Sequence, residues 1–392
     1  MLRALSLALA LCCASPVLAA DPAAKPAAMA AVTRLSIGFI GTDDPPATPL
    51  SFLDPVIRDG ALMGARLGIQ DGNVTGRFLK QEFALKEGRE GDVTALLDAG
   101  VRFIIADLPA DALLRVADKA AAKGAMVINV RARDDGLRNA QCRANLLHTI
   151  PSRRMLADAL GQYLVTRRWT NWFLVTGSGP GDRPYADAIR RTARRLGAKI
   201  VEEKDWTFDV GHARTDDGFT NERDVVSTFT RGADHDVLIV ADEDGAFGDF
   251  LSYRTARPRP VAGTAELTPT AWSRVFEQWG GTQLQNRFQA LAGRVMTERD
   301  YAAWTAVRAV TEAAGKARGA DVAATLKDPG FTLAAFKGQA LSFRPWDGQL
   351  RQPVLITSPR LLVSVSPQDG FLHQRTVLDS LGDDEGESLC RR

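Results

Sequence analysis

Histidine and cysteine are scarce in this chain, with four of each among 392 residues. No Cys or His stands at zinc-ligand spacing from Cys142 or Cys390, so a zinc finger or ribbon is excluded. An excess of one charge is also lacking. Lys and Arg number 49 against 47 Asp and Glu, a formal net charge of +2. Without a broad basic field, nucleic acid is not an expected partner. The one arginine cluster (Arg190, Arg191, Arg194, Arg195) falls on a predicted helix and reads as a solvated face. No apolar run approaches the roughly 20 residues of a membrane-spanning helix. The nucleophile elbow G-x-S-x-G, the zinc signature H-E-x-x-H and the G-K-[ST] ending of a phosphate loop are missing. These absences argue against an enzyme, and no cofactor is expected.

What is present begins at the N-terminus. Arg3 precedes an apolar run from Ala4 to Cys13, then Pro16 and the small residues Ala19 and Ala20. A short basic region, an apolar core and a small-residue cleavage site describe a secretory signal peptide over 1–20. An Ala/Pro-rich flexible leader over 21–34 follows. The expected product is a soluble periplasmic protein. Cleavage leaves Cys142 and Cys390, which in an oxidising compartment either form one disulfide or remain two thiols.

From Leu35 onward, short apolar runs alternate with amphipathic stretches. Strands are expected at 35–41, 78–85, 101–106, 125–130 and 146–150, with helices at 55–71, 92–98 and 110–123. The rhythm restarts with a helix at 152–168. Strands follow at 172–176, 199–203 and 236–241, with helices at 185–196 and 222–230. Further helices are expected at 270–279 and 298–317. Strand and helix in rotation, with continuous rather than alternating apolar strands, predict parallel sheets covered on both faces. The fold class is therefore α/β with two lobes: residues 35–150 and 151–262. Part of 262–365 should cross back to the first lobe, and part of 263–340 should extend the second. Short strands broken by Pro345, Gly348, Pro353 and Pro359 predict a C-terminal antiparallel addition, and 366–392 reads as an irregular tail.

Open parallel sheets bind ligands beyond the carboxyl ends of their strands. That rule nominates Thr42 and Asp43, then Asp107 and Leu108, then Arg131 and Arg133. In the second half it nominates Ser178, Tyr185, Asp242, Glu243 and Glu266. Arginines there would clamp a carboxylate or phosphate, or else pair with Asp134 and Asp135 on the surface. The run Asp242, Glu243, Asp244 is a candidate metal site, its alternative being a solvated acidic loop before a helix. The turn Gly177-Ser178-Gly179-Pro180-Gly181 either cradles an anion on its N–H groups or supplies glycine geometry to a loop–helix junction. His148, flanked by strand residues, reads as structural.

The order of elements from Val101 to Leu196 resembles the type I periplasmic binding fold of leucine and branched-chain amino acid receptors. VRFIIADLPADALLRVADKAAAKGAMVINV (101–130) and YADAIRRTARRLGAKIVEE (185–203) carry the likeness. Further stretches, among them VLIVADEDGAFGDFLSYRTARPRPVAG (237–263), TERDYAAWTAVRAV (297–310) and VSVSPQDGFLHQRTVLDSLG (363–382), resemble one branch. That branch comprises ABC-transporter binding proteins encoded beside pyrroloquinoline-quinone (PQQ)-dependent alcohol dehydrogenase systems. The resemblance implies a solute held between lobes that hinge near Ile150-Pro151 and 262–270, with ABC permease subunits and a PQQ dehydrogenase system as partners. The alternatives are a non-transporting sensor or partner protein, or a binder of calcium, lanthanide or a metal chelate. Amino acid receptors place Ser/Thr hydroxyls after the third strand and Ala-Thr after the fourth. Here those places hold Asp107–Asp111 and Arg131-Ala132-Arg133, while Tyr185 and Glu266 match the family's aromatic and ammonium-binding acid. An unusual solute is implied.

Overall fold

The computed structural model describes residues 32–42, 56–208 and 222–391. The expected signal peptide, most of the leader and Asp43 lie outside them. The first sheet has five parallel strands in the order β2-β1-β3-β4-β5: β1 Thr33–Gly41, β2 Gln81–Arg89, β3 Phe103–Asp107, β4 Met126–Asn129 and β5 Leu146–His148. Helices α1 (Leu62–Leu79), α2 (Val93–Asp98) and α3 (Ala110–Ala121) connect them. All of β3 and β4 is buried, the consequence of strands apolar on both faces.

The second sheet has four parallel strands in the order β7-β6-β8-β9: β6 Asn171–Thr176, β7 Lys199–Asp205, β8 Val237–Ala241 and β9 Val261–Gly263. Its helices are α4 (Arg153–Thr166), α5 (Asp182–Leu196), α6 (Glu222–Phe229) and the short α7 (Gly248–Leu251). Helix α5 is strongly two-sided. Tyr185, Ala186, Ile189 and Ala193 are buried, the arginines occupy the other face, and Gly197 ends the helix at φ 73°.

The chain then adds β10 (Thr268–Thr270), α8 (Gly281–Ala292), α9 (Glu298–Ala317), α10 (Val322–Lys327) and β11 (Leu333–Ala334). It finishes with β12 (Ala340–Phe343), β13 (Leu350–Arg351), β14 (Val354–Ser358) and β15 (Leu361–Ser366). Strands β10-β14-β15 and β11-β12-β13 form the two small antiparallel sheets of the expected C-terminal addition. Of the stretch expected to extend the second lobe, only β10 packs there, against α4; α8, α9 and α10 join the first-lobe core.

Two local readings differ from expectation. Helix α1 does not stop at 71 but runs to Leu79, ending on Lys80 in the left-handed conformation. The reason is a glycine every fourth residue (Gly64, Gly68, Gly72, Gly76), which puts a bare stripe on one helix face. Against that stripe α9 packs closely: a Cβ on Gly64 would lie 1.9 Å from the Asp300 carbonyl oxygen, and one on Gly68 2.7 Å from Val307 Cβ. Residues 270–279 form no α-helix, only the start of a 3-10 turn at Gln278–Gly280. Their Trp272 and Phe276 are core residues of an irregular segment, and Trp279 (φ 53°) and Gly280 (φ 85°) turn the chain into α8.

The C-terminal tail is tied to the first lobe. Cys142 and Cys390 form a disulfide joining residues 248 apart in sequence, with Cα atoms 5.6 Å apart. The tail that it anchors is irregular, yet Asp379 and Leu381 are wholly buried.

Because the α1–α9 contact is backbone-close, Gly64→Ala should lower the unfolding free energy by about 3 kcal/mol in urea titration. Gly91→Ala, whose Cβ would meet nothing within 4 Å, should stay within about 0.5 kcal/mol of the parent. Equal stabilities of the two variants would refute the packing account.

Candidate functional site

In both sheets the first strand sits inside the order, flanked by the second and the third. The connections therefore leave toward opposite faces between β1 and β3, and again between β6 and β8. A crevice opens at such a switch point, beyond the carboxyl ends of the strands. In the first lobe this is the neighbourhood of Thr42 and Asp107. In the second it is the neighbourhood of Gly177 and Asp242.

On the first-lobe side β3 delivers Asp107, 4% exposed, to Arg299 of α9, whose Nε donates to Oδ1 at 3.0 Å. Burial pushes the Asp107 carboxyl above its usual range, and the guanidiniums of Arg299 and Arg131 oppose that push. Strand β4 ends on Asn129, whose side chain shapes the next loop. Its Oδ1 accepts from the N–H groups of Arg131 (3.1 Å) and Ala132 (2.9 Å), and its Nδ2 donates to the Ala132 carbonyl (2.7 Å). His148 completes that buried cluster, 3.0 Å from Asn129 Nδ2, in the structural role expected of it. The loop presents Arg133 to Glu298, the first residue of α9. The alternative pairing with Asp134 or Asp135 is not what Arg133 forms. Those carboxylates turn instead to Arg153 and Arg154.

The seam between the lobes is built on α4. Arg153 and Arg154 put two cations at a helix N-terminus, where the helix dipole disfavours them. Carboxylates from both lobes compensate. Arg153 binds Glu243 of the second lobe through Nε (3.0 Å) and Nη2 (2.7 Å), and reaches Asp134 of the first lobe at 3.3 Å. Arg154 pairs with Asp383 of the tail at 2.5 Å and gives its N–H to Asp135 at 3.0 Å. Tyr185, 2% exposed, sits close enough to feel the charges of Glu243 and Arg133, and its hydroxyl has no hydrogen-bond partner among the described residues. Burial raises its pKa well above that of a free phenol. A groove of about 510 Å³ runs along this seam, lined by Asp134, Asp135 and Gln141 of the first lobe and by Arg153, Arg154 and Arg194 of the second.

On the second-lobe side the glycine turn is not an anion cradle. Its Gly179 N–H donates to Asp182 Oδ2 at 2.8 Å, and Asp182 Oδ1 accepts from the Glu243 N–H at 2.7 Å. The glycines are required because carboxylates press on the turn. A Cβ on Gly177 would lie 2.3 Å from Asp182 Oδ2, and one on Gly181 2.0 Å from Glu243 Oε2. Burial raises the Asp182 carboxyl above its usual range. The two backbone hydrogen bonds oppose that rise, and Asp242 and Asp244 add to it. Asp242 caps the following turn, accepting from the N–H groups of Ala246 (2.8 Å), Phe247 (2.7 Å) and Gly248 (2.7 Å). The three candidate metal ligands thus go separate ways: Asp242 to backbone amides, Glu243 to Arg153, Asp244 to solvent. Among the described residues no group of three His, Cys, Asp or Glu side chains is placed to hold a metal ion.

The remaining nominated residues divide. Ser178 is exposed at the mouth of a cavity of about 760 Å³ in the second-lobe crevice. The Thr42 carbonyl accepts from Arg89 at 2.7 Å. Glu266 is half-buried in the β9–β10 turn at φ 54°. Leu108 turns inward, 2% exposed, into the first-lobe core. Sequence reasoning missed Arg153, Glu298 and Arg299. Each is a charged residue in the first turn of a helix, a position that signals a helix start and says nothing of a distant partner. One further neighbour is Lys337, buried with its ammonium donating to the Ala271 carbonyl and lying 5.0 Å from the Tyr301 ring. Ala271 also gives its N–H to Glu298 at 2.5 Å, so Lys337 and the Arg133–Glu298 pair share one anchor.

A family profile described as "Periplasmic binding protein" matches residues 90–213. No curated protein matches the chain. Among solved structures it is similar to a branched-chain amino acid ABC transporter periplasmic ligand-binding protein from Burkholderia xenovorans. The identity is 15% and the TM-score 0.67, over 91% of this chain and 99% of that one. It is also similar to an ABC transporter substrate-binding protein from Sphaerobacter thermophilus, at 15% identity and TM-score 0.67 over 89% and 100% of the two chains. A branched-chain amino acid transporter substrate binding protein from Streptococcus pneumoniae, solved with isoleucine, gives 14% and 0.61 over 85% and 98%. At these identities the likeness establishes the two-lobed fold of periplasmic ligand-binding proteins. Among the described residues no helix is long and apolar enough to cross a membrane.

Two outcomes follow from this geometry. Arg153→Ala should cost about 3 kcal/mol by leaving Glu243 without its cation, and adding Glu243→Gln should recover part of that loss. An additive double-mutant cycle would contradict the pairing. Burial lowers the Lys337 ammonium from its ordinary 10.5 to about 7, with nearby Glu298 opposing. The unfolded chain then keeps a proton that the folded chain releases. Stability should rise with pH between about 7 and 10.5. Lys337→Met should flatten that rise in thermal melts, and an unchanged pH profile would refute it.

Proposed function

We propose that this protein captures a small solute between its two lobes in the periplasm and delivers it to the permease subunits of an ABC transporter, without catalysing a reaction. One observation carries the reading. Loops at the carboxyl ends of strands from both sheets converge on a single seam, where Arg153 spans Asp134 of the first lobe and Glu243 of the second. Strand-end crevices that meet across a seam of exchangeable ion pairs suit a site that opens and closes by hinge motion. The solved relatives, described as transporter ligand-binding proteins, support the same reading.

The finer reading is a solute connected with PQQ-dependent alcohol oxidation, supported by the likeness of residues 237–263, 297–310 and 363–382 to that branch of binding proteins. Its site would use Asp107, Arg131, Arg133, Tyr185, Glu243 and Glu266, with Thr42 and Ser178 at the rim. In the observed state Asp107 and Arg133 are held by Arg299 and Glu298. A solute reaching them replaces or joins those pairs, which suits a charged solute better than an aliphatic amino acid. Tyr185 offers a hydroxyl whose hydrogen bond is still to be made.

The test is a thermal-shift screen with small-angle scattering, using amino acids, alcohol derivatives, PQQ, calcium and lanthanide ions. A ligand present at a hundredfold its Kd should stabilise the protein by about 2.7 kcal/mol and reduce its radius of gyration. If no solute shifts the melt while the protein co-purifies with a dehydrogenase, the sensor or partner reading replaces capture.

A further inference from the structure

Among the described residues the backbone passes between the two cores three times, at 150–155, 267–271 and 350–354. The C-terminal tail makes a fourth link, and its disulfide makes that link covalent at the far end. The near end is seated in the second lobe. Leu381 is wholly buried in that core, and the Gly382 N–H donates to Asp158 of α4 at 2.9 Å. Asp383 and Glu387 then pair with Arg191 of α5 at 3.1 and 2.7 Å. The far end belongs to the first lobe. Ser388 Oγ donates to the Arg138 carbonyl at 3.2 Å, the Leu389 N–H donates to Asn139 Oδ1 at 3.1 Å, and Cys390 is bonded to Cys142. Asn139 Nδ2 also reaches Asp383 and the Glu387 carbonyl, at 3.3 and 3.4 Å.

The last pair with the second lobe, on Glu387, and the first residue held by the first lobe alone, Ser388, are neighbours in the chain. Adjacent Cα atoms stay about 3.8 Å apart. The link therefore has no slack at the point where it changes lobes. Lobes that swing apart along this line must break one set of ties, and the disulfide decides which. Glu387 is half-exposed, and ion pairs of that kind are weak. On the first-lobe side a covalent bond stands behind the hydrogen bonds. With the disulfide intact, opening strips Glu387 from Arg191 while 388–390 stay in place. With it gone, only hydrogen bonds hold the tail to the first lobe.

The link also lies where such a restraint acts. Arg191 lines the groove along the seam, as does Gln141, one residue before Cys142. Arg138, whose carbonyl accepts from Ser388, binds the Ile150 carbonyl of the first crossing through its guanidinium.

We infer that the disulfide-fastened tail is a strap across the seam, which holds the lobes at the observed angle and limits how far they swing apart. The inference rests on the hinge motion of the solute-capture reading and adds the element that restrains it. A strap that disfavours wide opening raises the fraction of molecules whose two walls face each other, and the apparent affinity for a solute follows that fraction.

The test compares three forms of the whole protein, free of added solute and well below their melting temperatures, by small-angle scattering and amide hydrogen exchange. They are the parent, the double variant Cys142→Ser/Cys390→Ser, and a chain with six Gly/Ser residues inserted between Glu387 and Ser388. The insertion keeps the disulfide and adds about 20 Å of reach. Both variants should widen, with a radius of gyration larger than the parent's by about 1 Å. In the serine variant the Leu389 N–H should exchange at least about tenfold faster, while the Gly382 N–H stays protected on Asp158. A disulfide that merely staples the fold would lower the melting temperature of the serine variant and leave the scattering of both variants with the parent. That result would overturn the strap, as would widening in the serine variant alone. If both variants widen and no solute in the thermal-shift screen compacts any form, the strap stands and capture falls. If a solute compacts the parent and slack changes nothing, capture stands and the strap falls.

Discussion

A chain that passes repeatedly between two cores must bury peptide groups where neither sheet can pair them, and the rest of this structure depends on how those groups are satisfied. Buried carbonyls without donors cost a large part of a domain's net stability. Here the segment leaving the first lobe at 148–152 is bound side by side with the returning segment at 348–352. The Gln349 amide donates to the carbonyls of His148 and Ile150, and the Gln352 amide donates to that of Thr149 at 2.7 Å. Arg138 adds a guanidinium that reaches the Ile150 carbonyl and Gln349 Oε1, both at 2.9 Å. Burial lowers the Arg138 pKa to about 10, so it remains a cation at neutral pH, and Asp135 and Asp347 help to hold it there. The crossing is thus polar and its carbonyls at 148–150 are hydrogen-bonded, which allows two cores to share one chain without merging.

The tail extends this logic outward. Asp379 lies between Arg344 and Arg351, each 2.8 Å away and both beside the Trp346 ring. Asp158 of α4 gathers Arg191 and Arg195 of α5 together with the Gly382 N–H. Beyond Gly382 the chain reaches Cys390 and its disulfide to the first lobe. One irregular segment therefore touches the crossing, the second lobe and the first lobe in turn. Its charges are balanced locally, which is why a molecule of near-zero net charge can carry so many buried ions.

The same balance shapes the functional reading. Strand-end loops in this fold deliver charged side chains into the space between lobes. On the first-lobe side each of those traced is met by an opposite charge from α9: Asp107 by Arg299 and Arg133 by Glu298. On the second-lobe side Glu243 takes Arg153, while Asp182 and Asp242 are met by backbone N–H groups instead. One side of the cleft thus answers charge with charge, and the other answers it largely with the backbone.

Much of the architecture could be read from the chain alone. Period and run length are local properties, so the strands at 101–106 and 236–241, the helix at 298–317 and the two-sheet α/β order followed from them. Strand ends are likewise local, and they led directly to Asp107, Arg133 and Glu243. What those residues bind was not legible: Arg299 is 192 positions from Asp107, and Arg153 is 90 from Glu243. The helix expected at 55–71 rested on its apolar spacing alone, and the use of the α1 glycine stripe shows only once α9 packs against it. The stack of Trp206 on Phe247 likewise joins residues from different strand ends. Local pattern sets which backbone each segment adopts, because that choice is made within a turn or two. Only the tertiary structure decides which charges meet and which remain unsatisfied, because those energies depend on distance and burial that no local window contains.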